Sequence, residues 1–177
     1  MPTLPLFVDE SRVPARLAGL AFAGSEVDPD PRLGAKLRFG DGTVQADASL
    51  YTLGLEDLAE DLRAPLTVDL YREACGEVLH AAGQGLYQNL EVHVSQFLHL
   101  PSGSPEPFCL WAAFGYCQAP GPAATDDGPR SSHLTLRIDR GHVNKVRYTY
   151  PAERDEEELP RFLQFLLEWT AAVRALP

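Results

Sequence analysis

Residues 108–118 read FCLWAAFGYCQ, and neither side of that run is polar. A strand with one wet side alternates, whereas a strand covered on both sides does not. This run therefore predicts a strand inside a sheet that carries a layer above and a layer below. Two segments can supply those layers. Leu70, Ala74, Val78 and Ala82 recur at fourfold spacing, flanked by Tyr71, Cys75 and Leu79, which predicts an amphipathic helix over 67–82. Thr67 is placed to cap it and Asp69 to meet its dipole. Acids at 153–158 and Pro160 then favour a helix start, and Phe162, Phe165, Leu166, Trp169, Val173 and Leu176 form one stripe, predicting a helix over 157–175.

The remaining periodicity is twofold. Leu20 to Gly24 reads as a short strand. Leu33, Ala35, Leu37 and Phe39 alternate with polar neighbours, Gly40-Asp41-Gly42 supplies a turn, and Val44, Ala46, Ala48 and Leu50 alternate again, so 33–53 is a β-hairpin. Leu90, Val92, Val94, Leu98 and Leu100 mark a long strand with one wet side. Leu134, Leu136 and Ile138, a turn at Arg140-Gly141, and Val146, Tyr148 and Tyr150 make a second hairpin. A short helical turn is expected near Glu56–Leu62, and loops at 101–107 and 119–132.

The fold class that follows is α+β, a mostly antiparallel sheet of about six to seven strands packed with two main helices, one on each side. Residues 1–19 read as an extended arm and 20–177 as a single α+β domain. At 177 residues with 45% hydrophobic side chains, the chain can fill a core without a metal or disulfide.

The net charge of −10 disfavours nucleic acid and anionic membrane surfaces. No run approaches the length of a membrane span and no basic segment precedes an apolar run near Met1, so the expected compartment is the cytoplasm. Thirteen arginines against two lysines, Lys36 and Lys145, suggest a GC-rich bacterial genome. Three cysteines, Cys75, Cys109 and Cys117, with no CxxC spacing, read as free buried thiols.

Pro14, Leu17, Gly19 and Leu20, then Leu33-Gly34, then Leu50-Tyr51-Thr52-Leu53-Gly54 resemble the pattern of a group of uncharacterised bacterial proteins. The element order resembles the sandwich shared by Mog1 and PsbP proteins. Those look like binding or assembly factors, so the resemblance implies a binding role and brings no catalytic residue with it.

The residues themselves assign no catalytic group, cofactor or metal. His93 and His99 are too far apart along a strand to share an ion, and His133 and His142 lack metal-ligand spacing. Ser102-Gly103-Ser104 lies in a loop without a strand-to-helix elbow. The carboxylates cluster in solvated runs at 56–61 and 153–158. The most distinctive surface is a mixed aromatic and basic one, expected to gather Tyr51, His93, Phe97, His99, Arg137, Lys145 and Arg147 on the wet side of the sheet. The plainer reading covers this surface with the N-terminal arm or the acidic loop at 54–63 and pairs Arg137 and Arg147 with Glu or Asp.

The expected function is a non-enzymatic protein-binding or accessory module, of chaperone, immunity or assembly type, whose partner is another protein. The acidic run at 56–61 is an alternative docking surface for a basic partner. Homodimerisation through an exposed strand edge is compatible with the same reading. The competing class is a small-molecule binder or enzyme with a pocket between the sheet and the N-terminal arm or the 119–132 loop. A deep pocket lined by convergent polar groups, with strongly shifted pKa values at His93, His99 or His133, would favour that class.

Overall fold

Alternation in the sequence becomes strand, and the two amphipathic stripes become helix, in a computed structural model that describes residues 10–56, 58–100, 104–119 and 128–176. Strands β1 (Arg16–Leu17), β2 (Leu20–Val27), β3 (Ala35–Gly40) and β4 (Gln45–Tyr51) lead into helix α1 (Pro65–Gly83). Strands β5 (Tyr87–Leu98), β6 (Cys109–Gln118), β7 (Pro129–Asp139) and β8 (His142–Pro151) follow, and helix α2 (Asp155–Arg174) comes last. Among the described residues the strands form one antiparallel sheet in the order β1-β2-β3-β4-β8-β7-β6-β5. Two meanders therefore meet along a single seam, where β4 pairs with β8 from Gln45↔Thr149 to Tyr51↔Val143.

The helices lie on opposite sides, as the doubly apolar run requires. Leu70, Tyr71, Ala74 and Val78 of α1 pack on Leu110, Ala112, Phe114, Leu134, Leu136 and Val143. Phe162, Phe165, Leu166, Trp169 and Val173 of α2 pack on the other side, against Leu37, Phe39, Ala46, Ala48, Val146 and Tyr148. The buried polar groups in the second core are paired. Trp169 Nε1 donates to Asn144 at 2.7 Å, and Tyr148 donates to the buried Glu158 carboxylate at 2.8 Å. Arg154 and Arg161 compensate that carboxylate.

Among the described residues eight strands, not six or seven, are found, because the N-terminal segment contributes a strand. Residues 10–19, expected as the end of an extended arm, form a short 3-10 turn and then the β1–β2 hairpin, with Val13, Leu17 and Ala18 buried. Ala18 and Gly19 both take positive φ, the turn that matches strand twist. Helix α2 grips this turn. Glu168 accepts from Ala18 N at 2.6 Å and Arg161 Nε donates to Ala18 O at 2.9 Å. The rest of the arm, residues 1–9, lies outside the described residues.

Helix α1 begins at Pro65, two residues ahead of expectation, since proline suits the first helical turn. Thr67 is consequently inside the helix and buried rather than capping it, and the first turn holds no acid. Helix α2 takes in Asp155 and ends at Arg174. No helix forms around residues 56–62 among the described residues, where Leu58 is buried and turns carry the chain. Strand β7 begins at Pro129, so part of the expected 119–132 loop is sheet, and residues 120–127 lie outside the described residues. Among the described residues no helix is long and apolar enough to cross a membrane.

Candidate functional site

Eight strands spaced as in any sheet span roughly 34 Å, and a helix with its side chains is about 10 Å across. One helix per side cannot cover such a sheet. Helix α1 sits over the β5–β7 half of its side and α2 over the β1–β4 half of the other, with β8. Two open half-faces remain, diagonal to each other, one beside each helix.

The open half-face beside α1 is charged. Its floor comes from alternate residues of β3, β4 and β8: Lys36, Asp47, Ser49, Lys145 and Arg147, with Glu77 of α1 as a wall around about 250 Å³ of space. A second hollow of about 250 Å³ continues it past Tyr51 to the exposed Leu33 and Leu53. Both lysines of the chain line this groove. Lys145 lies 3.0 Å from Glu77 and 5.6 Å from the centre of the Tyr51 ring, and Lys36 lies 3.7 Å from Asp47. Burial, together with the Glu77 and Glu73 carboxylates, pushes the Tyr51 hydroxyl well above its ordinary titration range, so it stays a donor.

Arg147 is held differently. Its Nε donates to Ser132 at 3.1 Å, one terminal nitrogen to Tyr87 at 2.9 Å and the other to Tyr116 at 3.4 Å. The guanidinium lies over both tyrosine rings. Among the described residues no carboxylate oxygen stands within 4.0 Å of it.

The other open half-face is aromatic. Trp111 of β6, His133 of β7 and Tyr150 of β8 stand in a row. Trp111 Nε1 donates to His133 Nδ1 at 3.1 Å, which leaves the imidazole proton on Nε2 to be donated to Tyr150 Oη at 2.7 Å. Neighbouring rings are tilted by only 27° and 24°, and Phe162 stacks behind the imidazole at 4.6 Å. Burial depresses the His133 pKa to about 4, so the ring is neutral at pH 7. The row lines a cleft of about 310 Å³ bounded by His93, Ser131, Asp155 and Leu159. His93 lies over Gly115, where a Cβ would overlap its ring.

The seven residues expected on one wet surface do not share one. Tyr51, Lys145 and Arg147 do meet beside α1. Arg137 is on the opposite side, because pairing Ile138 with Val143 across a two-residue turn puts odd residues of β7 with even residues of β8. There it lies 2.8 Å from the buried Asp139. Phe97 packs into the α1 core. The register of β5 shifts between Val92 and Val94, which turns His93 toward the aromatic cleft, away from the side of Phe97. His99 follows β5 and is exposed. Of the pairing expected for the two arginines, Arg137 has its carboxylate and Arg147 does not.

The other candidates are engaged or distant. His142 pairs with Asp139 at the hairpin end, six residues along β7 from His133 and roughly 20 Å away. All three cysteines are free thiols, and burial pushes Cys109 up to about 12. Glu60 of the acidic run bonds Arg140 N and Arg174, while Asp57 lies outside the described residues. Ser102 and Gly103 lie outside them as well. Among the described residues no group of three or more His, Cys, Asp or Glu side chains is arranged to hold a metal ion. Sequence reasoning missed Lys36, Asp47 and Glu77 in the groove, and Trp111, Tyr150 and Asp155 in the cleft. Their residue types were visible, but their meeting depends on the β4–β8 seam and on strand register.

No family model matches the chain, and no curated protein matches it. The solution structure of cyanobacterial PsbP (CyanoP) from Synechocystis sp. PCC 6803 is similar at a TM-score of 0.47 and 14% identity, covering 80% of this chain and 77% of that one. A likeness at that level brings neither a partner nor a residue role to this protein. The Leu17-to-Leu20 and Leu50-to-Gly54 segments, which resemble a family pattern, each have structural work. The first makes the β1–β2 turn. The second carries Leu50, whose carbonyl a Cβ at Gly34 would overlap.

Proposed function

We propose that this chain is a non-enzymatic binding module that docks a partner protein in the charged groove beside α1, the partner supplying a carboxylate to Arg147. The observation that carries this reading is the Arg147 guanidinium, placed in the groove by three hydroxyls and two rings with no carboxylate within 4.0 Å among the described residues. Lys36 and Lys145 each have one. A half-buried guanidinium solvated only by hydroxyls gains strongly from a bidentate carboxylate, because such charge-assisted pairs are the strong ones. The exposed Leu33 and Leu53 at the end of the groove add apolar contact area.

Support for a non-catalytic role comes from how the reactive groups are used. Both nitrogens of His133 are committed, Cys109 is held as a thiol, and Glu158 and Asp139 are neutralised by arginines. The aromatic cleft gathers polar groups around the strongly shifted His133, and it lies across the sheet, so the two readings do not compete for one surface.

The test uses the fact that Lys36 and Lys145 are the only lysines in the chain. Tagged protein is incubated with native lysate and treated with a carbodiimide, which joins carboxylates to amines without a spacer. One stoichiometric partner joined at Lys36 or Lys145, with affinity falling roughly tenfold in Arg147→Gln, is the expected result. Arg72→Glu on the outer side of α1 is the matched control. A partner whose cross-links avoid both lysines, or whose affinity Arg147→Gln leaves intact, would overturn the reading.

A further inference from the structure

The cleft beside α2 has a polarity that selects among ligands. The hydrogen bonds of its wall all run in one direction, Trp111 donating to His133 and His133 to Tyr150. Tyr150 and Asp155 line the same cleft, and burial with the Asp155 charge raises the Tyr150 hydroxyl above its ordinary titration range. Ser131 Oγ donates to Asp155 Oδ1 at 2.7 Å. Asp155, held by Ser131, is an exposed carboxylate lining the cleft beside the row. Among the described residues no Lys, Arg or His nitrogen lies within 4.0 Å of it. Glu157 and Glu158, in the same turn of α2, are both paired with Arg154.

The wall leading to that carboxylate is flat, unsaturated and uncharged. Its neutrality is built in, since burial keeps the imidazole of His133 unprotonated far below pH 7. Ring faces carry a negative quadrupole and attract cations, most strongly where water is displaced. An anion would meet Asp155 in a chain whose net charge is −10. The space, about 310 Å³, exceeds that of a few waters and falls within the range of small-molecule sites.

We propose that this cleft binds a small organic cation, an amine whose ammonium group meets Asp155 and whose apolar body lies along the Trp111–His133–Tyr150 wall. This site stands apart from the groove of Arg147, since it lies on the other side of the sheet and uses none of the same side chains. His93, lying over Gly115, also lines the cleft.

Three probes of one shape and different charge test it: phenethylammonium, 2-phenylethanol and phenylacetate, titrated at pH 7 into the full chain with amide and indole chemical shifts as the readout. Phenethylammonium is expected to bind roughly tenfold more tightly than the alcohol, with the largest shifts at Trp111, Ser131 and Asp155 and no saturable binding of phenylacetate. Asp155→Asn keeps an acceptor for Ser131 and is expected to abolish the preference for the ammonium over the alcohol. Equal affinity for the three probes, no binding of phenethylammonium, shifts that cluster elsewhere, or a preference that survives Asp155→Asn would each overturn the proposal. The comparison of probes on the unaltered protein stands even if the variant folds poorly.

Discussion

His133 shows how one residue ties burial, hydrogen bonding and acid stability together. Folded, its pKa is about 4; in an unfolded chain it is close to 6.5. Between those values the unfolded chain binds a proton that the folded chain refuses, so stability rises with pH through the window and falls as pH drops from 6.5 toward 4. The full loss is about 3 kcal/mol. Urea unfolding at pH 7, 5.5 and 4 is expected to show that loss in the difference between the native protein and His133→Gln. Glutamine can hold both hydrogen bonds but does not titrate. A pH-independent difference would mean that the buried imidazole accepts its proton without unfolding. That His133 is special was not legible in the sequence, where it read as one of four histidines on strands. What distinguishes it is contact with Trp111, Tyr150 and Phe162, three residues distant in the chain. Arg147 is a similar case. Its position on a strand was predictable, but its lack of a carboxylate depends on which tyrosines β5 and β6 bring to it.

At the scale of elements, periodicity succeeds where a segment buries one side and fails where a turn or cap decides. The apolar stripes of α1 and α2 located both helices to within two residues at each start. Thr67 looks like a cap in the sequence, whereas the residue at the cap position of α1 is Ala64, which makes no side-chain bond. Ala64→Ser is therefore expected to stabilise the protein by about 1 kcal/mol, since its hydroxyl can accept from a free amide of the first turn. The midpoint of chemical denaturation measures this, and an unchanged midpoint would show that the turn amides already have other acceptors. Hairpins were legible from alternation and from Gly40-Asp41-Gly42 and Arg140-Gly141. The facing of their side chains was not, because it depends on whether partners across a turn sum to an odd or an even number. A single bulge in β5 was enough to separate His93 from Phe97.

For the whole molecule, the decisive contact is the seam between β4 and β8, which closes a loop of about ninety residues. Nothing in local sequence announces it. Strand β8 is paired on both edges, by β4 and β7, whereas β5 ends the sheet and is exposed along most of its length. Amide hydrogen exchange is accordingly expected to be slowest in β8 and its two neighbours and fastest in β5, where edge amides open without breaking either core. Faster exchange in β8 than in β5 would mean that the two meanders separate before the edge frays. The diagonal placement of the helices has a consequence for how this protein can change. Along β8, Arg147 belongs to the groove and Tyr150 to the cleft. On β7, Ser132 serves the first, and Ser131 and His133 serve the second. Alternate positions of the same strands thus answer to different surfaces. Substitutions that remodel one surface leave the contacts of the other in place, and the two can diverge or be redesigned separately on a single sheet.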